Sequence, residues 1–248
     1  MTLTNDKPTI ETCFTPALFQ YVLTKENFIV VVIDVLRATT AICTAFKNGA
    51  IEMMPLAKIE DTKQYRPQGY MIAGERDGVV IEGADFGNSP FNFSEENVNG
   101  KKIVITTTNG TQTIEKAKSS DAVVVGAFSN ISVLEKWLIS QNKNVIFLCS
   151  GWKNKFNIED SIMAGALAKR LLNKGYCSHC DSTVAAIDLW NMAEKNLLSF
   201  IEKASHRHRL KKLGLDDVIE YCLTSDTANV IPLLKGNSFF DILKEIKP

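Results

Sequence analysis

Asp34-Val35-Leu36-Arg37 places a carboxylate three residues ahead of a guanidinium, directly after the apolar run Phe28–Ile33. A carboxylate at the end of a buried strand can hold a divalent cation or attack phosphorus. An Arg fork can grip a phosphoryl or sulfonyl group through paired N–H bonds. The plainer use of such a pair is a helix cap with a surface ion pair. Three further clusters offer related chemistry. Gly74-Glu75-Arg76 opens a long polar stretch reaching Gly87-Asn88-Ser89-Pro90, with Arg76 as a second cation and Asn88 and Ser89 offering an amide and a hydroxyl. Thr106-Thr107-Thr108-Asn109-Gly110-Thr111 is the best anion cradle: Asn109-Gly110 marks a tight turn where Gly accepts positive φ, and hydroxyls and N–H groups converge at a helix start. Glu75, Asp77, Glu82, Asp85 and the adjacent Glu159-Asp160 supply hard oxygen ligands. Mg²⁺ prefers one or two carboxylates together with water and substrate oxygens. At a helix start, Glu159-Asp160 also simply suits the helix dipole.

The clusters fall where strands hand over to helices. Phe28–Ile33 is a continuous β-branched run, expected as a strand covered on both faces, and Ala38–Asn48 as a helix ended by Gly49. Tyr70–Ala73, Lys102–Thr107, Ala122–Val125 and Val145–Cys149 read as strands; Gln112–Lys118, Ile131–Ser140 and Glu159–Asn173 read as helices. Gly74–Asn92 is expected as a long functional loop ordered by Phe86 and Phe91. The chain from Asp181 to roughly Leu223 is expected to be helical with breaks near Asn191 and Ser205–Gly214, and Val230–Leu234 to be an edge strand because Pro232 lacks a ladder donor. The repeated strand-loop-helix order implies an α/β fold, three-layer α/β/α with a mostly parallel or mixed sheet. In such sheets ligands bind outside the carboxyl ends of strands. No linker divides the chain, so residues 1–248 read as one domain. The likeness of Phe28–Asn48 to Val145–Asn173 allows two similar lobes, about 1–125 and 126–248.

Composition excludes several classes. Lys and Arg total 28, as do Asp and Glu, so the formal charge is zero. A nucleic-acid or membrane-surface binder usually needs a basic excess, so neither partner is expected, and any anion selectivity must be local. There is no membrane-spanning run and no apolar signal core, which gives a cytoplasmic expectation. The six cysteines are expected as buried free thiols. Cys177-Ser178-His179-Cys180 has zinc-like spacing but no second pair to complete four ligands. His206-Arg207-His208-Arg209 with Lys211-Lys212 reads as a solvated helical face, and Trp137, Trp152 and Trp190 as core or loop anchors. There is no P-loop and no dinucleotide fingerprint. A cysteine phosphatase needs Arg six residues after its thiolate, where Cys149 has Lys155; an Asp-x-Asp phosphatase needs a second acid, where this chain has Leu36. The three His lie outside the four clusters. Metal-assisted hydrolysis remains.

In their order, Val32-Ile33-Asp34-Val35-Leu36-Arg37-Ala38-Thr39-Thr40, Gly74-Glu75-Arg76 with Gly87-Asn88-Ser89-Pro90, Thr107-Thr108-Asn109-Gly110-Thr111, and Glu159-Asp160 with Ala164-Gly165 resemble the 2-phosphosulfolactate phosphatase family. Ser205 with Leu213-Gly214, and Val230-Ile231-Pro232, are also similar. The resemblance implies a Mg²⁺-dependent hydrolase, a phosphoric monoester phosphatase with a distinct α/β fold. Its substrate would be 2-phospho-3-sulfolactate or a closely related small anionic phosphoester, giving 3-sulfolactate and phosphate, chemistry like that of coenzyme M biosynthesis. Phosphate, carboxylate and sulfonate would occupy two Arg residues, a metal and the cradle. On this reading Asp34, Arg37 and Glu75 are catalytic, with Asp34 either binding Mg²⁺ or attacking phosphorus. Arg76, Asn88, Ser89, Thr107, Thr108, Asn109, Gly110 and Thr111 bind substrate, and Asp34, Asp85, Glu159 and Asp160 are the metal ligands. Two departures stand out: Ala84 replaces an aromatic common before the loop Asp, and His206 and His208 occupy a stretch often richer in Gly. The alternative is a non-catalytic binding protein for sulfonates or phosphorylated hydroxy acids, which would need no metal. Oligomeric state is not readable from the sequence; a homodimer is simply the commonest assembly.

Overall fold

The apolar run Phe28–Ile33 is buried along its whole length because its alternate side chains serve two cores. In the computed structural model, Ile29, Val31 and Ile33 pack with Leu134, Ile162 and Leu167 on one face, and Val30 and Val32 pack with Ile42, Phe46 and Ile114 on the other. The structure describes residues 7–22, 27–212, 214 and 216–245; Leu213, one of the resemblance positions, lies outside them.

The strands are β1 (Ile10–Cys13), β2 (Phe28–Ile33), β3 (Glu52–Pro55), β4 (Tyr70–Arg76), β5 (Val79–Val80), β6 (Lys102–Thr106), β7 (Ala122–Gly126), β8 (Asn144–Cys149), β9 (Pro232–Lys235) and β10 (Ser238–Asp241). They form one ten-stranded sheet in the order β1-β8-β2-β7-β9-β10-β3-β6-β4-β5, with helices covering both faces: an α/β fold on a mixed, largely parallel sheet.

β1, β8, β2 and β7 are mutually parallel, as are β3, β6 and β4. Between these blocks lies the β9–β10 hairpin, antiparallel to β7 on one side and to β3 on the other. Three antiparallel pairings in succession make the two parallel blocks run in opposite directions. Each junction is thin, a single register pair: Val124 with Leu233, and Phe239 with Met53. Strands from before and after residue 125 interleave, β8 lying between β1 and β2.

Two expectations need correction. The segment around Pro232 is an inner strand, not an edge. Pro232 is tolerated because it is the first residue of β9, and the neighbouring Ile231 N–H is taken by the Asp241 carboxylate at 2.9 Å. The Gly74–Asn92 stretch is not one long loop. β4 continues to Arg76 and turns at Asp77-Gly78, both at positive φ (52° and 86°), into β5.

The helices that reach the site are Ala38–Lys47, Gly110–Ala117, Ile158–Leu172 and Ser205–Lys212. Gly165 lets Ile158–Leu172 lie almost on the backbone of Asp181–Ala193: a Cβ there would stand 1.9 Å from the Ala186 carbonyl oxygen. All six cysteines are free thiols, Cys177 and Cys180 half-buried and the others buried.

Candidate active site

Asp34 follows β2, and the turn after it is tied down by threonines of the next helix. Thr39 Oγ1 donates to the Asp34 carbonyl (2.9 Å) and accepts from the Asp34 N–H (3.1 Å), while Thr40 Oγ1 donates to the Val35 carbonyl at 2.9 Å. The Leu36–Arg37 peptide is cis. Asp160 locks this turn to the one after β8. Its Oδ1 accepts the Val35 N–H at 2.9 Å, and its Oδ2 accepts the Gly151 N–H at 3.0 Å and Asn157 Nδ2 at 2.8 Å. Burial and the nearby Asp34 and Glu159 carboxylates push the Asp160 pKa well above the usual carboxylate range, against these donors.

Asp34 keeps a freer carboxylate. Its one hydrogen bond, to Oδ1 from the Ala38 N–H, is long at 3.3 Å, so helix capping accounts for only part of its role. Burial raises its pKa from 3.8 to about 6; His206 and the Ala38 N–H oppose the shift, and Glu75 and Glu159 add to it. Arg37 is 5% exposed, and its guanidinium has no hydrogen bond or ion pair among the described residues. Burial lowers its pKa even with Glu75 and Asp34 nearby. A buried cation without a partner is costly, and a bound anion would offset that cost by taking up its donors.

The opposite wall comes from the other strand block. Glu75, near the end of β4, accepts the Thr108 N–H (2.7 Å) at Oε1, and the Gly78 N–H (2.7 Å) and Thr108 Oγ1 (3.1 Å) at Oε2. Thr107 and Thr111 bond reciprocally, each N–H to the other's Oγ1 at 3.1 Å. The N–H groups of Thr107, Thr108 and Thr111 are therefore taken by protein acceptors. Asn109 lines the cleft and accepts the Lys153 N–H at 2.8 Å. Gly110 is required for close approach and does not sit at positive φ: a Cβ there would lie 2.8 Å from Asp34 Oδ2 and 2.6 Å from Ala38 Cβ.

The cleft is lined by Asp34, Arg37, Glu75, Asn88 and Asn109 from the anticipated set, and by Trp152, His206 and Arg209 besides. Asn88 presents a buried Oδ1 with no partner. Other anticipated residues are spent elsewhere. Arg76 braces backbone, donating to the carbonyls of Glu75 (2.7 Å) and Ala57 (3.0 Å) and to Thr106 Oγ1 (2.8 Å). Asp85 pairs with Arg66 at 3.2 Å and accepts the Ile72 N–H at 2.7 Å, outside the cleft. Ser89 precedes the short turn Pro90–Asn92, its carbonyl accepting the Asn92 N–H at 3.0 Å.

The basic run is not a plain solvated face. His206 is buried and its Nδ1 lies 2.7 Å from Glu159 Oε1; Arg207 pairs with Glu202 at 2.9 Å and with Asp216; Leu210 is buried. Arg209 stacks on Trp152, its Cζ 4.0 Å from the ring centroid, and His206 lies 5.4 Å from the same ring. His206, Arg209 and Leu210 share one helical face at i, i+3 and i+4, a spacing the sequence carried.

The oxygen donors suit a hard cation held by few protein ligands. Glu159 is 1% exposed and its Oε2 has no partner among the described residues, while Asp34 lies close enough to help raise the Asp160 pKa. Among the described residues, no group of three or more His, Cys, Asp and Glu is disposed to hold a metal. Mg²⁺ does not require one, since water and substrate oxygens complete its shell.

The sequence matches the family model described as 2-phosphosulpholactate phosphatase over residues 13–237. A relative from Caldanaerobacter subterraneus subsp. tengcongensis, named "Probable 2-phosphosulfolactate phosphatase", is 37% identical over 84% of this chain and 88% of its own length. Proteins of the same name from Thermotoga maritima (38% identical, 87% and 92% covered) and Gloeobacter violaceus (39% identical, 82% and 86% covered) are similar to it as well. With nearly the whole length matched, and with an unpaired buried arginine beside a raised carboxyl in the cleft, the chain belongs to the 2-phosphosulfolactate phosphatase family, a family of phosphoric monoester hydrolases.

Proposed function

We propose that the protein hydrolyses 2-phospho-3-sulfolactate, or a closely related small anionic phosphoester, to 3-sulfolactate and phosphate in a Mg²⁺-dependent reaction. The observation that carries this reading is Arg37: a guanidinium 5% exposed, without a hydrogen-bond or ion-pair partner among the described residues, beside Asp34 at the mouth of β2. Arg37 binds the phosphoryl oxygens as a fork and holds the group in line with its attacker. As charge builds on those oxygens, the same donors stabilise it at no reorganisation cost.

Asp34 and Glu159 would hold Mg²⁺, which supplies charge neutralisation on the phosphoryl oxygens when bound. Asp160, with both oxygens engaged, fixes the turns that carry Asp34 and Gly151. Glu75 sets the Thr108 and Gly78 backbone at the opposite wall. His206 orients Glu159 through its ring nitrogen. A cytoplasmic location is supported by the six unpaired thiols. No helix among the described residues is long and apolar enough to cross a membrane.

The test is phosphate release from 2-phosphosulfolactate with Mg²⁺ and with EDTA. Turnover that needs the metal is expected. Equal turnover in EDTA would remove the metal from the account, and tight substrate binding without release in either condition would remove the phosphatase.

A further inference from the structure

We infer that Arg209, mounted on Trp152, is the subsite for the substrate's sulfonate and thereby sets specificity; this rests on the phosphatase reading above. Arg209 projects from the Ser205–Lys212 helix into the same cleft as Arg37, with Leu210 beside it. Its Nη1 donates to Ser205 Oγ at 3.3 Å. Nε and Nη2 are buried and have no partner among the described residues. These two atoms form one edge of the guanidinium, the edge that meets two oxygens of a single oxyanion in parallel.

Among the described residues no acceptor pairs with this edge; the Glu159 carboxylate acts on Arg209 by its charge but makes no hydrogen bond to it, so the two donors call for an acceptor on a ligand. Stacking of the guanidinium plane on Trp152 at 4.0 Å holds that edge in a fixed direction. The Arg37 fork is already matched to the phosphoryl group, so Arg209 is left for a second anion on the same small molecule. A sulfonate suits this place better than a carboxylate. Its charge is spread over three oxygens and is weakly hydrated, so it loses little on entering a pocket walled by an indole and by Leu36 and Leu210. A carboxylate would give up more hydration for the same two bonds.

The test compares 2-phosphosulfolactate with 2-phospholactate, which keeps the phosphate and carboxylate and lacks the sulfonate. Wild-type protein, R209Q and R209K are assayed with both, and each is checked for an unchanged melting profile. Loss of the two charge-assisted bonds is expected to lower kcat/KM for phosphosulfolactate by about 100-fold in R209Q while changing phospholactate by less than about threefold. R209K, which keeps the charge but not the fork, should fall between. Calorimetric binding of 3-sulfolactate against lactate reads the same site without turnover, and R209Q should lose only the sulfolactate preference. An equal loss on both substrates, or sulfolactate binding unaffected by R209Q, would overturn the assignment. If no variant releases phosphate while sulfolactate still binds through Arg209, the phosphatase reading falls and the subsite stands.

Discussion

Arg37 and Asp34 are a cation and a carboxylate that the fold has buried side by side without neutralising one against the other. No hydrogen bond or ion pair joins them, and burial moves both pKa values toward the neutral forms. That is a cost to stability, of the kind functional sites carry. It predicts an unusual effect for Asp34→Asn. A carboxyl held at about 6 when folded and at 3.8 when unfolded binds its proton more tightly in the folded state. Its contribution therefore favours folding below about pH 4 and is lost as pH rises through about 6. In EDTA, Asp34→Asn should match the wild type near pH 4 and exceed it by up to about 3 kcal/mol above pH 7, with activity gone. Urea unfolding at both pH values reads this, and a less stable variant at neutral pH would contradict the burial argument. Glu159→Gln keeps the shape beside His206 but weakens the oxygen donor; it should raise the Mg²⁺ concentration needed for half-maximal activity at least tenfold. A metal titration with unchanged midpoint would assign Glu159 to packing alone.

At the scale of elements, the site depends on how closely two helices can approach their neighbours. Gly110→Ala puts a methyl 2.8 Å from Asp34 Oδ2 and 2.6 Å from Ala38 Cβ, so the Gly110–Ala117 helix must retreat from the turn that carries Asp34. Gly165→Ala drives its methyl against the Ala186 carbonyl, away from the cleft. Each overpacking should cost about 1–3 kcal/mol, but only Gly110→Ala should also lower kcat per folded molecule. Thermal melts with activity normalised to folded protein separate the two, and equal kcat for both variants would remove Gly110 from the site. These elements also show what the sequence made legible. β2 was readable because an unbroken β-branched run has few alternatives, and the strand-loop-helix order placed Asp34, Arg37, Glu75 and Asn109 at or just after strand ends, and Asn88 in the loop after β5, all lining one cleft. β1 and β3 were not, since four-residue strands carry no period of their own and form by pairing with β8 and β6. Arg76 and Asp85 look as available in sequence as Arg37, and only the fold shows their groups spent on backbone and on Arg66. His206 and Arg209 were hidden for the opposite reason. A run of basic residues reads as a wet surface until tertiary contacts bury one face of it.

At the scale of the whole molecule, two oppositely directed parallel blocks present their carboxyl ends to a shared cleft. One supplies Asp34, Arg37 and Trp152 after β2 and β8, and the other supplies Glu75 and Asn109 at β4 and β6. The exposed ion pair Lys153–Asp77 (2.8 Å) spans the two walls. A chain with 28 basic and 28 acidic residues has no long-range field to gather anions, so recognition falls to the buried guanidinium groups, which salt screens poorly. Between about 0.05 and 0.25 M salt, kcat/KM should change by less than about threefold; a steep decline would point to diffuse surface charge instead. The central claim is that the cleft grips a phosphoryl group through Arg37. It is tested most directly by phosphate release from 2-phosphosulfolactate in saturating Mg²⁺, comparing wild-type protein with folded R37A and R37K. In R37A, kcat/KM should fall at least about 100-fold, only partly recovered in R37K. Wild-type turnover retained in R37A would contradict it.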